Sequence, residues 1–159
     1  MDNIELGEFD AIQHIQGEQM SNFISKIDFD PKTKEVWINI YAGFGQLSSI
    51  ILNTASRIIF IKYLKDFIKT VQEAKKQHIK YDNRVIGYLD CEMASVGKVK
   101  VNDIASHKFV VNCDYKSEDT YCDLLIVTSH LMSAYISVLL IDRASVSKLI
   151  AILDDNKLN

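Results

Sequence analysis

The stretch LSSIILNTASRIIFIKYLKDFIKTVQEAKKQH, residues 47–78, contains neither proline nor glycine and reads as a helix. From Phe60 onward Leu64, Phe67, Ile68, Val71 and Ala74 recur at helical spacing, while Lys62, Lys65, Lys69, Lys76 and Lys80 gather on the opposite face. Upstream the apolar set is Leu47, Ile50, Ile51, Ala55 and Ile58. At about 100° per residue, Ser49, Asn53, Ser56 and Arg57 then fall where the downstream stripe lies. One straight helix with one buried face would carry Arg57 into the core. The expectation is a kink, a break or two-sided burial between Arg57 and Phe60.

Short apolar pieces flank this helix. Residues 23–28 and 35–41 are rich in Ile, Val, Trp and Phe, and Asp30-Pro31-Lys32-Thr33-Lys34 between them presets a turn, which predicts a hairpin. Beyond Tyr81-Asp82-Asn83, the pieces 84–92, 98–104, 107–115, 121–129 and 134–141 are β-branched or aromatic and separated by turn-like residues. They predict an antiparallel meander. A closing helix is expected over 143–153, with Val146, Leu149, Ile150 and Leu153 on one face, and a frayed tail over 154–159. Residues 1–20 carry Asp2, Glu5, Glu8, Asp10 and Glu18 without Lys or Arg, and their apolar positions fit neither period. That segment receives no assignment. The order predicts a single α+β domain over 1–159, an antiparallel sheet with one long helix and a short C-terminal helix packed on it.

Composition narrows the function. The chain has 159 residues, 48% hydrophobic and 25% charged, enough to bury a core without metal or disulfide support. A net charge of -3 argues against a general nucleic-acid binder. Residues 36–56 and 124–141 lack formal charge; the second has the length of a short span, but it holds Thr128, Ser129, His130, Ser133 and Ser137 and is bounded by Asp123 and Asp142 without a basic anchor, which favours two buried strands over a membrane span. Met1-Asp2-Asn3-Ile4-Glu5 does not open a secretory leader, and Cys91, Cys113 and Cys122 form an odd set without CxxC spacing. Both point to the cytoplasm. Ile occurs 21 times and Lys outnumbers Arg by 15 to 3, a usage that AT-rich codons produce in a low-GC bacterium, a phage or another mobile element.

Signals for chemistry are sparse. Gly43-Phe44-Gly45, expected between a strand and a helix, has the form of a phosphate-cradling turn with Ser48 as a further candidate, but the third Gly of the dinucleotide fingerprint is missing. The competing reading is a tight turn capped by Ser48 or Ser49. His14, His78, His107 and His130 have no metal-ligand spacing, and Ser129-His130 lacks a nucleophile-elbow motif. The three cysteines have acidic neighbours, which suits core packing and not nucleophilic attack. Trp37, Tyr41, Phe44 and Tyr88 are candidates for an aromatic patch. The sharpest asymmetry is electrostatic, since residues 62–80 sum to +4 in an acidic chain. Lys62, Lys65, Lys69 and Lys76 are therefore the candidate contacts with another protein, the alternatives being a solvated face or pairing with the acidic residues 1–20.

The resulting expectation is a non-enzymatic, protein-binding domain, acting as an inhibitor, immunity factor, chaperone or adaptor and able to form a homodimer, with no cofactor, metal or membrane. A nucleotide- or anion-binding module using Gly43, Phe44, Gly45 and Ser48 is the alternative.

Overall fold

Antiparallel strand pairing, and not helical periodicity, organises the first third of the chain. A computed structural model describes residues 3–15, 18–42, 46–95, 99–116, 122–129 and 136–159. Strands β1 (Ile4–Ile15), β2 (Glu18–Asp30), β3 (Glu35–Ala42) and β4 (Gln46–Leu52) pair antiparallel in chain order. The unassigned acidic segment is thus β1 and the start of β2. Its period is unreadable because the register shifts between Glu5 and Gly7 and again between Ile12 and His14, and Gly7 has φ 154°. Each bulge reverses which residues face the core. The predicted β2–β3 hairpin is present: the Lys32 N–H donates to Asp30 Oδ1 at 2.9 Å, the Lys34 N–H donates to the Asp30 carbonyl at 2.8 Å, and Lys34 takes φ 61°.

The helix boundary requires correction. Residues 46–52 are a strand, and helix α1 runs Thr54–Gln77. The change of face in the sequence is therefore a change of secondary structure at Asn53, not a kink between Arg57 and Phe60. Asn53 caps the helix, its Oδ1 accepting the Ser56 N–H at 2.8 Å. Ala55 and Ile58, assigned to the apolar face, are exposed, whereas Ser56 and Arg57 are buried in line with Phe60, Leu64, Phe67, Val71 and Ala74. Pairing of β4 with β3 from Ala42↔Gln46 to Val36↔Leu52 decides the matter, because a long-range ladder overrides local helix propensity. At the other end His78 adopts the left-handed conformation and its N–H reaches the Ala74 carbonyl, so Lys80 lies beyond the helix.

The second half repeats the plan. Strands β5 (Tyr81–Ser95), β6 (Val99–Cys113), β7 (Cys122–Ser129) and β8 (Ile136–Asp142) follow, then helix α2 (Arg143–Leu153), whose bounds match the expectation. The expected pieces 98–104 and 107–115 fall largely in one strand, β6, with an irregularity between Ile104 and Val101 opposite Glu92 and Met93. β8 also pairs with β1 from Ile12↔Leu140 to Ile15↔Ser137, which closes the described strands into a barrel. The domain is α+β with an antiparallel sheet, as expected, but the sheet is closed. The uncharged stretches fall mainly in β3–β4 and β7–β8. Among the described residues no helix is long and apolar enough to cross a membrane.

One core joins the sheet to both helices. Phe9, Ile27, Val36, Ile38, Leu52, Leu89, Phe109, Val111, Leu124 and Ile126 meet Phe60, Leu64 and Phe67 of α1 and Val146, Leu149 and Leu153 of α2. Residues 154–159, expected as a frayed tail, instead end in a turn docked on the core. They form a 3₁₀ turn, Asn156–Leu158, that buries Leu158 to 2% exposure, and Arg57 Nη2 donates to Asn159 Oδ1. The cysteine reading also changes: register places Cys113 opposite Cys122, and a disulfide joins them, leaving Cys91 as the free thiol among the described residues.

Candidate functional site: the groove between the two helices

The lysine stripe acquires a setting once α1 is docked. Leu64, Phe67, Val71 and Ala74 face the barrel and are fully buried, while Ile68, one position round the helix, is only partly covered. On α2, Val146, Leu149 and Leu153 are buried and Ile150 is again partly covered. The helices pack side by side, and Ile68 and Ile150 form the apolar floor of a groove of about 320 Å³. Lys65, Lys69 and Gln72 of α1 wall one side and Ser147 of α2 the other.

The groove is cationic on one wall. Lys65 Nζ lies 3.0 Å from Asp154 Oδ2, with both side chains more than half exposed. Lys62 pairs within the helix with Asp66 at 3.4 Å and lies 5.5 Å from the Tyr63 ring centroid. Such exposed pairs contribute about 0–1 kcal/mol and are readily exchanged. Lys69 is exposed and makes no ion pair among the described residues. Lys76 stands with Lys75 in the last turn, where it complements the carbonyl end of the helix dipole. The structure thus brings Lys65 and Lys69 into one groove, places Lys62 one turn before them and leaves Lys76 at the helix end. Asp154, Gln72 and Ser147 were not singled out in the sequence. The signal for Ile68 and Ile150 was their place at the edge, not the centre, of an apolar stripe.

Arg57 anchors the adjoining end of α1. It is only 3% exposed, one amino nitrogen reaches Asn159, and the other has no hydrogen-bond partner among the described residues. Burial lowers its pKa, and the Asp154 charge opposes that shift. Asp154 thus pairs with Lys65, and its charge also reaches Arg57.

The other candidates fall elsewhere. Residues 43–45 lie outside the described residues, between Ala42 of β3 and Gln46 of β4, and Ser48 belongs to β4. The expected helix start beside that loop is corrected: the helix begins at Thr54 with Asn53, not Ser48 or Ser49, as its cap. His107 Nδ1 hydrogen-bonds to Thr128 Oγ1 at 2.8 Å in the interior, and His78 stacks on Tyr115 with centroids 5.2 Å apart. His130 lies outside the described residues, as does the side chain of His14. Burial, then the charges of Asp90 and Glu92, push the Cys91 thiol up to about 12, so it holds its proton at neutral pH. Trp37 is buried against Ile51 and Tyr88 is exposed, so these two do not form one patch; Phe44 and the side chain of Tyr41 lie outside the described residues.

No protein-family model, curated protein or solved structure matches this chain. The functional reading therefore rests on its own residues.

Proposed function

We propose that this is a non-enzymatic protein-binding domain, an inhibitor, immunity factor, chaperone or adaptor, whose docking surface is the α1–α2 groove. The observation that carries the reading is the conjunction of a partly covered apolar floor, Ile68 and Ile150, with the exposed cations Lys65 and Lys69. A solvated lysine face alone needs no partner, but an apolar groove beside it is a form that amphipathic helices dock on.

The test begins with affinity purification from the native host and reconstitution with the purified partner. Lys62→Glu, Lys65→Glu and Lys69→Glu together should leave the fold intact, weaken binding and reduce its salt dependence, because exposed charges chiefly steer association. Unchanged affinity in the triple variant would reject the groove as the docking surface. The proposal retains a cytoplasmic setting, and the Cys113–Cys122 bridge is the observation that opposes it, since such bridges are rare in reducing compartments. Thiol alkylation in intact cells decides between them.

A second reading has one observation in its favour. Ser25 is fully buried, alternates with Ile27 and Phe29 on the core face, and its hydroxyl has no hydrogen-bond partner among the described residues; the His107–Thr128 pair occupies the same interior. A polar small molecule held inside the barrel would satisfy Ser25. A thermal-shift screen of nucleotides and phosphate esters tests it, with Gly45→Ala asking whether residues 43–45 take part. A screen that shifts nothing removes this reading.

A further inference from the structure

We infer that the occupant of the α1–α2 groove is an acidic amphipathic helix. The inference rests on the protein-binding reading and names the partner's chemistry. Ile68 and Ile150 come from adjacent helices, so the floor is a furrow between two helical ridges, a shape that a third helix fills with apolar residues at i, i+3 or i+4, and i+7. One wall carries Lys65 and Lys69, which lie on successive turns of α1 and match carboxylates at the same i, i+4 spacing on the incoming helix. The opposite wall offers the neutral Ser147.

Asp154 already models the contact. Its carboxylate sits 3.0 Å from Lys65 Nζ, with both side chains more than half exposed, so a partner carboxylate can reach the same ammonium from solvent. Lys69 has no such internal partner among the described residues and is available at once.

Two other occupants fit worse. A second copy of this chain has no acidic amphipathic helix among its described residues: α2 reads RASVSKLIAIL without a carboxylate, α1 is net basic, and Glu5, Glu8 and Asp10 lie on strand β1 and Glu18 on strand β2. A nucleic acid would leave the apolar floor unused, and the stripe lacks Arg, the residue best matched to phosphate.

The test measures fluorescence anisotropy with three labelled synthetic peptides of roughly 20 residues, long enough to form several helical turns. One is amphipathic with Leu on one face and Glu flanking it, the second has Lys for Glu, and the third is the acidic peptide with a central proline. The acidic helix should bind with a micromolar Kd and respond to salt. Lys65→Glu with Lys69→Glu should weaken it at least tenfold while circular dichroism and melting stay unchanged, and the basic and proline peptides should not compete. Equal binding of the acidic and basic peptides, equal binding of the proline peptide, no binding at all, or tighter binding of a short DNA duplex would each overturn the inference. Because these probes are synthetic, failure here leaves the broader reading to the reconstituted native partner, where charge reversal in the groove is judged separately.

Discussion

Gly87→Ala isolates the contact that seats α1 on the barrel. A Cβ at position 87 would lie 2.4 Å from Cζ of Tyr63, 2.5 Å from Cε1 and 2.6 Å from the hydroxyl. The ring cannot swing away freely. Its hydroxyl donates to the Tyr88 carbonyl at 2.9 Å, and it leans on Phe109, with centroids 5.0 Å apart, directly across from Gly87 in the β5–β6 ladder. Ordinary contact requires a shift of more than 1 Å, at an overpacking cost of about 1–3 kcal/mol. The displaced hydrogen bond adds about 1 kcal/mol, and replacing a strand glycine returns about 0.5–1 kcal/mol of backbone entropy. The net destabilisation is about 1–3.5 kcal/mol, centred near 2, or roughly 2–14 °C in Tm for a chain of this size. Urea unfolding should show a lower midpoint at unchanged slope. In a Tyr63→Ala background the same substitution should be neutral or slightly stabilising, giving a coupling of about 2 kcal/mol. An equal cost in both backgrounds, or a change below about 0.5 kcal/mol in the parent, would refute the argument.

Further outcomes follow from burial, charge and covalent pairing. Leu158→Ala should cost about 2–4 kcal/mol in chemical denaturation, because its side chain is buried in the core; a surface-like value would mean that the last turn is undocked. Burial first, then the charge of Asp142, raises the Asp123 carboxyl above the usual aspartate range, so the folded state holds that proton more tightly than the unfolded chain. The associated stability is present at acid pH and is lost as pH rises through the folded value. Asp123→Asn should therefore stabilise at neutral pH and lose its advantage toward pH of about 4; a pH-independent difference in denaturation midpoint would contradict the sign. Reducing the Cys113–Cys122 bridge, which closes a loop of sequence separation 9, should lower stability by about 2–3 kcal/mol, and Cys113→Ser should abolish the sensitivity to reductant.

Local signals were reliable where one face of one element carried them. The bounds of α2 followed from Val146, Leu149, Ile150 and Leu153 on one face, and the structure adds the cap, the Asp142 carboxylate accepting the Ser145 N–H at 2.7 Å. The β2–β3 turn followed from Asp30 and Pro31. They failed where two elements shared one unbroken apolar run. Residues 46–52 and the start of α1 have no intervening Pro or Gly, and Asn53, the actual punctuation, is an ordinary polar residue until its side chain is seen capping Ser56. The lysine face was legible for the same reason that α2 was. The groove beside it was not, because a partly covered Ile68 looks the same in sequence as a buried one.

By itself the sequence determined the α+β class, the presence of a long amphipathic helix between two sets of strands, and the lysine stripe, since each arises from residues close together along the chain. Tertiary structure alone decided that β8 returns to β1 to close the barrel, that Cys113 meets Cys122, that Arg57 reaches Asn159, and that Ile68 and Ile150 share a groove walled by Lys65 and Lys69. The physical reason is common to all four. Each depends on register or docking between distant segments, where a bulge such as that at Gly7 reverses the faces of every residue beyond it, and no local period records which partner will be found.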